Sequence, residues 1–180
     1  ELAALLTQLE EAGIKLELEY EDILVKLNSG ADEVNGDEYS ACAKGKRSSL
    51  EDFCLHKELD MPGIPHGKGR FLAVMDGSGG KNAAEIVFNN ALPEFSRAMG
   101  ESQGDIYKAL SQTFRRLDEL TKEKTCGTTV SLVYAPFDEM RAYCAVLGDS
   151  PVIIFDRKGR VTLGPMHNVA VSSEEVDRAV

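Results

Sequence analysis

RFLAVMDGSGG, residues 70–80, changes character in a single step. Arg70 to Met75 is a compact apolar run of strand length, and it stops at Asp76, after which Gly77, Ser78, Gly79 and Gly80 offer nothing to bury. A carboxylate delivered from a strand end, beside glycines that let backbone carbonyls and amides approach closely, suits a hard cation such as Mg2+ or Mn2+. An Asp-Gly pair is first of all a turn, so the stretch needs chemical partners before it reads as a site.

The nearest partners lie upstream. Glu51 and Asp52 stand at the start of a strand predicted over Asp52 to Leu59, and Arg47 closely precedes them. A guanidinium there could hold a phosphate through paired hydrogen bonds while a metal-activated hydroxide attacks phosphorus. Arginine, two acids and an Asp-Gly turn form a coherent set for phosphate-ester hydrolysis. Between this strand and the next, MPGIPHGKG (61–69) is a surface loop.

Downstream, two helical patterns follow. Ala83 to Met99 carries Ala84, Val87, Phe88, Leu92 and Phe95 on one side, and Asp105 to Leu120 carries Ile106, Leu110, Phe114 and Leu117, with Ser102 or Gly104 as its expected start. Strand periodicity then returns at Thr128 to Ala135, Met140 to Leu147 and Val152 to Asp156, with turns at PFDE, GDSP and DRKG. Strands, two helices and a further meander describe a layered α+β domain, not a repeating βαβ sheet. Upstream, another strand is expected at Tyr39 to Lys44. Residues 1–38 read as an N-terminal extension, with one or two amphipathic helices over 2–27 that pack on the domain or meet a partner, and an acidic loop from Asn28 to Glu38.

Bulk properties set the outer bounds. At 180 residues the chain has the length of one domain, 39–180 in this reading, and its 43% apolar and 28% charged residues are those of a globular protein. No apolar run approaches the roughly 18 residues of a membrane span, and the acidic N-terminal stretch does not read as a secretory signal. A net charge of −10 opposes a nucleic-acid backbone and is compatible with a site that collects cations. Cys42, Cys54, Cys126 and Cys144 form no CxxC pair; they read as reduced core thiols and point to a reducing compartment, cytoplasm or nucleus.

GKRSSLEDF (45–53), RFLAVMDGSGG (70–80), CGTTVSLVYA (126–135) and AYCAVLGDSPVIIFDRKGRV (142–161) resemble, in order, successive signatures of the type 2C metal-dependent serine/threonine phosphatases. The resemblance spans about Tyr39 to Thr162, with a looser tail to Val180. It implies an α-β-β-α sandwich, two antiparallel sheets flanked by helices and incomplete at the C-terminus, as expected of a fragment of a longer phosphatase, the reading we favour, or of a shortened relative. It implies two Mg2+ or Mn2+ ions, with a third conceivable, and a phosphorylated protein as substrate. Arg47, Glu51 and Asp52 then bind substrate phosphate and order the metal waters, Asp76 bridges two ions, Gly77 offers its carbonyl, and Asp149 of the GDS turn holds a further metal. Thr128 and Thr129 match a structural strand start.

The sequence also departs from that family's pattern. Ser78 stands where many eukaryotic members carry a histidine proposed to protonate the leaving alcohol, and a serine cannot be that acid near neutral pH. Pro151 replaces the usual arginine after GDS, and His167 lacks the acidic neighbour of the family's Asp-His segment. The alternative function is therefore a catalytically impaired relative that acts as a binding or regulatory module. A nucleotide-binding reading of DGSGG fails, because the remaining glycines of a dinucleotide fingerprint and the lysine of a P-loop are missing.

Overall fold

The structure, a computed structural model, describes residues 49–155 and 161–164. The helices expected over 2–27, the loop at 28–38, the strand at Tyr39–Lys44, and Arg47, Cys42, Asp156 and His167 lie outside the described residues.

Strands β1 (Phe53–Asp60), β2 (Lys68–Met75), β5 (Val130–Pro136) and β6 (Tyr143–Leu147) form one antiparallel sheet in the order β1-β2-β5-β6. Two shorter antiparallel pairs accompany it, β3 (Gly77–Ser78) with β4 (Gly127–Thr128), and β7 (Ile153–Phe155) with β8 (Val161–Leu163). Helices α1 (Asn82–Glu101) and α2 (Ile106–Thr121) connect β3 to β4. This is the expected α+β arrangement of antiparallel sheets and helices.

Alternation along the strands decides which sheet face the helices cover. Phe71, Ala73 and Met75 of β2 and Val130, Leu132 and Tyr134 of β5 are buried, while the alternate Leu72 and Val74 are less so. The register pairs Phe71 with Tyr134 and Ala73 with Leu132, which places these side chains together on one face. Against them α1 sets Ala84, Val87, Ala91, Phe95, Ala98 and Met99, at helical spacing. Phe95 lies between the rings of Phe71 and Tyr134, with centroids 5.1 and 4.8 Å away. Burying one such ring contributes about 1.5–3 kcal/mol. The Tyr134 hydroxyl donates to the His66 carbonyl, and burial pushes its pKa up to about 12.

Several boundaries differ from expectation for identifiable reasons. α2 begins after neither Ser102 nor Gly104: its N-cap is Asp105, whose carboxylate accepts from the Lys108 amide at 3.0 Å. Ser102 instead closes α1, and Gly104 takes φ +86 with its α-carbon so close to the Pro65 carbonyl that a Cβ would sit 2.4 Å from the oxygen. α1 runs through Pro93, which is exposed, as is Asn89, whose carbonyl loses its helical donor to the proline ring. β6 starts at Tyr143 and not at Met140, which is almost fully exposed and has nothing to pack against. Cys54, Cys126 and Cys144, expected as core thiols, are half-buried and lie outside the core.

Candidate functional site

Antiparallel pairing makes the chain return to the same end of the sheet four times. Phe53 of β1 pairs with Met75 of β2, Val74 of β2 with Ser131 of β5, and Val130 of β5 with Leu147 of β6. The residues just before β1, just after β2, just before β5 and just after β6 therefore meet at one edge. A cleft of about 600 Å³ opens there, lined by Glu51, Asp76, Gly77, Ser78, Gly79, Thr129 and Asp149. Segments separated by up to about a hundred residues of chain thus supply three carboxylates to one cleft, whose negative charge favours cations.

The turn after β2 is held from both sides. The Asp76 amide donates to Thr129 Oγ1 at 3.2 Å, and the Asp76 carbonyl accepts from the Thr129 amide at 2.9 Å and from the Thr128 hydroxyl at 3.1 Å. Gly77 and Ser78 then pair with Thr128 and Gly127. Gly77 is buried against the segment carrying Glu51: a Cβ there would lie 2.6 Å from the Glu51 carbonyl oxygen. Gly79 and Gly80 adopt φ +76 and +134, a region that side-chain-bearing residues rarely enter, so the glycines of this turn are required by its shape.

Glu51 braces the same turn. Its Oε2 accepts from the Gly80 amide at 3.2 Å and its Oε1 from the Ser49 hydroxyl at 2.8 Å. A carboxylate has about four lone-pair sites, so each oxygen retains capacity for a water or cation. Asp149 follows Gly148, which takes φ +99, and is exposed at the cleft. Ser150 is tied inward by a hydrogen bond between its hydroxyl and Thr129 Oγ1 at 2.8 Å and by the Ser131 hydroxyl, which donates to its carbonyl.

Of the residues singled out in the sequence, Glu51, Asp76, Gly77 and Asp149 line this cleft. Asp52 does not line it; it precedes β1, with Oδ1 buried and without a hydrogen-bond partner among the described residues. Arg47 lies outside the described residues. Thr129, read in the sequence as a strand start, is a lining residue and the hub of the hydrogen bonds beneath it. The signal for it was present in the CGTT stretch: a second threonine directly before an apolar strand, where valine would have served packing alone.

The donor chemistry of the cleft suits a divalent cation. Carboxylates and a close backbone are the oxygen ligands that Mg2+ and Mn2+ prefer, and the unsatisfied Asp52 Oδ1 is one more oxygen in want of a partner. Among the described residues no three Asp, Glu, His or Cys side chains gather closely enough to enclose an ion by themselves. The set fits an open site completed by waters and backbone oxygen.

Comparison with known proteins agrees with this geometry. The family model described as Protein phosphatase 2C matches residues 38–178. A curated relative from Arabidopsis thaliana, named probable protein phosphatase 2C 11, is 29% identical over 137 residues, which are 73% of this chain. The chain spans 35% of that relative's length.

Proposed function

This chain belongs to the protein phosphatase 2C family, and from that premise we propose that the protein hydrolyses phosphoserine and phosphothreonine esters in other proteins, using two Mg2+ or Mn2+ ions. The observation that carries the reading is the convergence of Glu51, Asp76, Gly77 and Asp149 on one cleft at the end of a four-stranded sheet.

In this mechanism Asp76 and the Gly77 carbonyl would hold the metal pair, Glu51 and Asp52 would order the waters around it, and Asp149 would hold a further ion. When bound, the metals supply a water of lowered pKa and neutralise phosphate charge. The chain's own part is placement. The hydrogen bonds to the Asp76 amide and carbonyl hold its backbone at the edge of the cleft, and the small glycines that follow leave room beside it for a phosphate ester. The family resemblance assigns Arg47 to the substrate phosphate, which a guanidinium can grip through paired hydrogen bonds. Ser78, exposed at the cleft, does not protonate the leaving alcohol near neutral pH, so that proton comes from solvent or a bound water.

The test is hydrolysis of p-nitrophenyl phosphate by the full-length protein. Turnover is expected to require Mn2+ or Mg2+ and to fall by about two orders of magnitude or more in Asp76→Asn, as metal-centred catalysis demands. Metal-independent turnover, or full turnover by the variant, would sink the proposal.

A second reading, a binding module that has lost catalysis, is favoured by Ser78 at the cleft and by the lack of a three-carboxylate cluster among the described residues. The two readings part on calorimetry: tight binding of paired Mn2+ ions by the full-length protein supports the enzyme, and none supports the module.

A further inference from the structure

Two carboxylates proposed to hold cations stand on different turns, Asp76 after β2 and Asp149 after β6, and something has to set the gap between them. Between the turns lies the first residue before β5, Thr129. Its backbone amide donates to the Asp76 carbonyl at 2.9 Å and its Oγ1 accepts from the Asp76 amide at 3.2 Å. The same Oγ1 shares a 2.8 Å hydrogen bond with the hydroxyl of Ser150. Its methyl group lies against Gly148, where a Cβ would come within 2.7 Å of Thr129 Cγ2.

We propose that Thr129 is a positioning residue, a strut that sets the spacing between the Asp76 turn and the Asp149 turn and so the geometry of the cation site between them. The cation part of this inference rests on the phosphatase reading above; the strut itself does not. One hydroxyl touches both turns, because an oxygen with two lone pairs and one proton can accept from the Asp76 amide and still bond to Ser150. Valine has the same shape and is likewise favoured in strands, so packing alone gives no reason for threonine here. Thr128 plays a different part: its hydroxyl bonds to the Asp76 and Thr129 carbonyls, and the described hydrogen bonds do not carry it to the Asp149 turn. The Ser131 hydroxyl holds the Ser150 carbonyl from below, so the far end of the strut is seated on β5 as well. A fixed separation matters because a ligand that drifts by a fraction of an ångström loses much of its worth to a bound ion.

The experiment uses the full-length protein and the variants Thr129→Val, Thr129→Ser and Ser150→Ala, each checked for folding by circular dichroism. Two readouts are taken: hydrogen exchange of the Asp76 amide by NMR, and affinity for Mn2+ from the electron paramagnetic resonance signal of the free ion. In Thr129→Val the Asp76 amide is expected to exchange about tenfold faster, the size of one lost hydrogen bond, and Mn2+ affinity to fall roughly 10- to 100-fold, as for other residues that orient metal ligands. Thr129→Ser keeps the hydroxyl and is expected to rescue both. Ser150→Ala is expected to weaken Mn2+ binding while leaving Asp76 exchange as in the wild type. Unchanged exchange in Thr129→Val overturns the strut, and so does a serine variant as damaged as the valine one. Should Thr129→Val fail to fold, Ser150→Ala decides: unchanged Mn2+ affinity overturns the link between the turns. A wild-type protein that binds no Mn2+ overturns the phosphatase reading, and the exchange arm still decides the strut.

Discussion

At Gly77 a single methyl group would meet backbone and not a movable side chain. The Glu51 carbonyl oxygen would be 2.6 Å from the new Cβ and the Glu51 Cβ 2.9 Å from it, so one of the two segments would have to move. Gly77→Ala is therefore expected to destabilise the fold by about 1–3 kcal/mol, the usual cost of forcing atoms into a packed site, measured as a lower midpoint in urea denaturation. The glycine was visible in the sequence as part of a turn that lets backbone approach a ligand. That the close neighbour is Glu51 was not visible, because 26 positions of chain separate the two and only the pairing of β1 with β2 joins them. Thr129 shows the same limit in another form. Its residue type was consistent with a strand start, and its hydrogen bonds to Asp76 and Ser150 arise from β5 lying between β2 and β6.

At the scale of elements, periodicity was a good guide to the body of each helix and a poor one to its ends. The apolar faces of α1 and α2 coincide with the buried residues Val87, Phe95, Ile106, Leu110 and Leu117. Between the helices, Ser102, Gly104 and Asp105 are all competent capping or stop residues, and local chemistry does not rank them. The ranking came from tertiary contact, since Gly104 is pressed against Pro65 and leaves Asp105 as the residue with extended backbone at the helix start. Asp105→Ala is expected to cost about 1 kcal/mol, the worth of an N-cap, seen as a lowered thermal midpoint. Arg116 of α2 reaches Glu101 of α1, while Arg97 pairs with Glu94 and Glu101 within α1; these ion pairs sit at the surface and add little to that balance.

On the scale of the whole molecule, the candidate site occupies one end of the sheet and a charged tie occupies the other. There the loop after β1 meets the turn after β5: His66 Nδ1 lies 3.1 Å from Asp138 Oδ1 and 3.8 Å from Glu139, and the Tyr143 hydroxyl donates to Glu139 at 2.8 Å. The hydrogen bond to Asp138 raises the His66 pKa above 6.5, and the same bond holds Asp138 below 3.8. The signs follow by linkage. The His66 contribution is full below its ordinary value and is lost as pH rises through the raised one. That of Asp138 is present above its ordinary value and is lost as pH falls through the depressed one. The small advantage of the wild type over His66→Asn in thermal midpoint is therefore expected to shrink as pH rises through the raised His66 value. Asparagine is the apt substitute because it tolerates the φ of +55 found at His66. Mn2+ affinity, set at the opposite end of the sheet, should not differ between the two. By itself the sequence determined the kinds of element, the α+β class and the residue types able to bind a cation, because periodicity and donor chemistry are local properties of the chain. Only the tertiary structure decided that Glu51, Asp76 and Asp149 share a cleft that Asp52 does not line, and that one threonine spans two of its turns. Those are facts of strand order and register, which the pairing of distant segments creates.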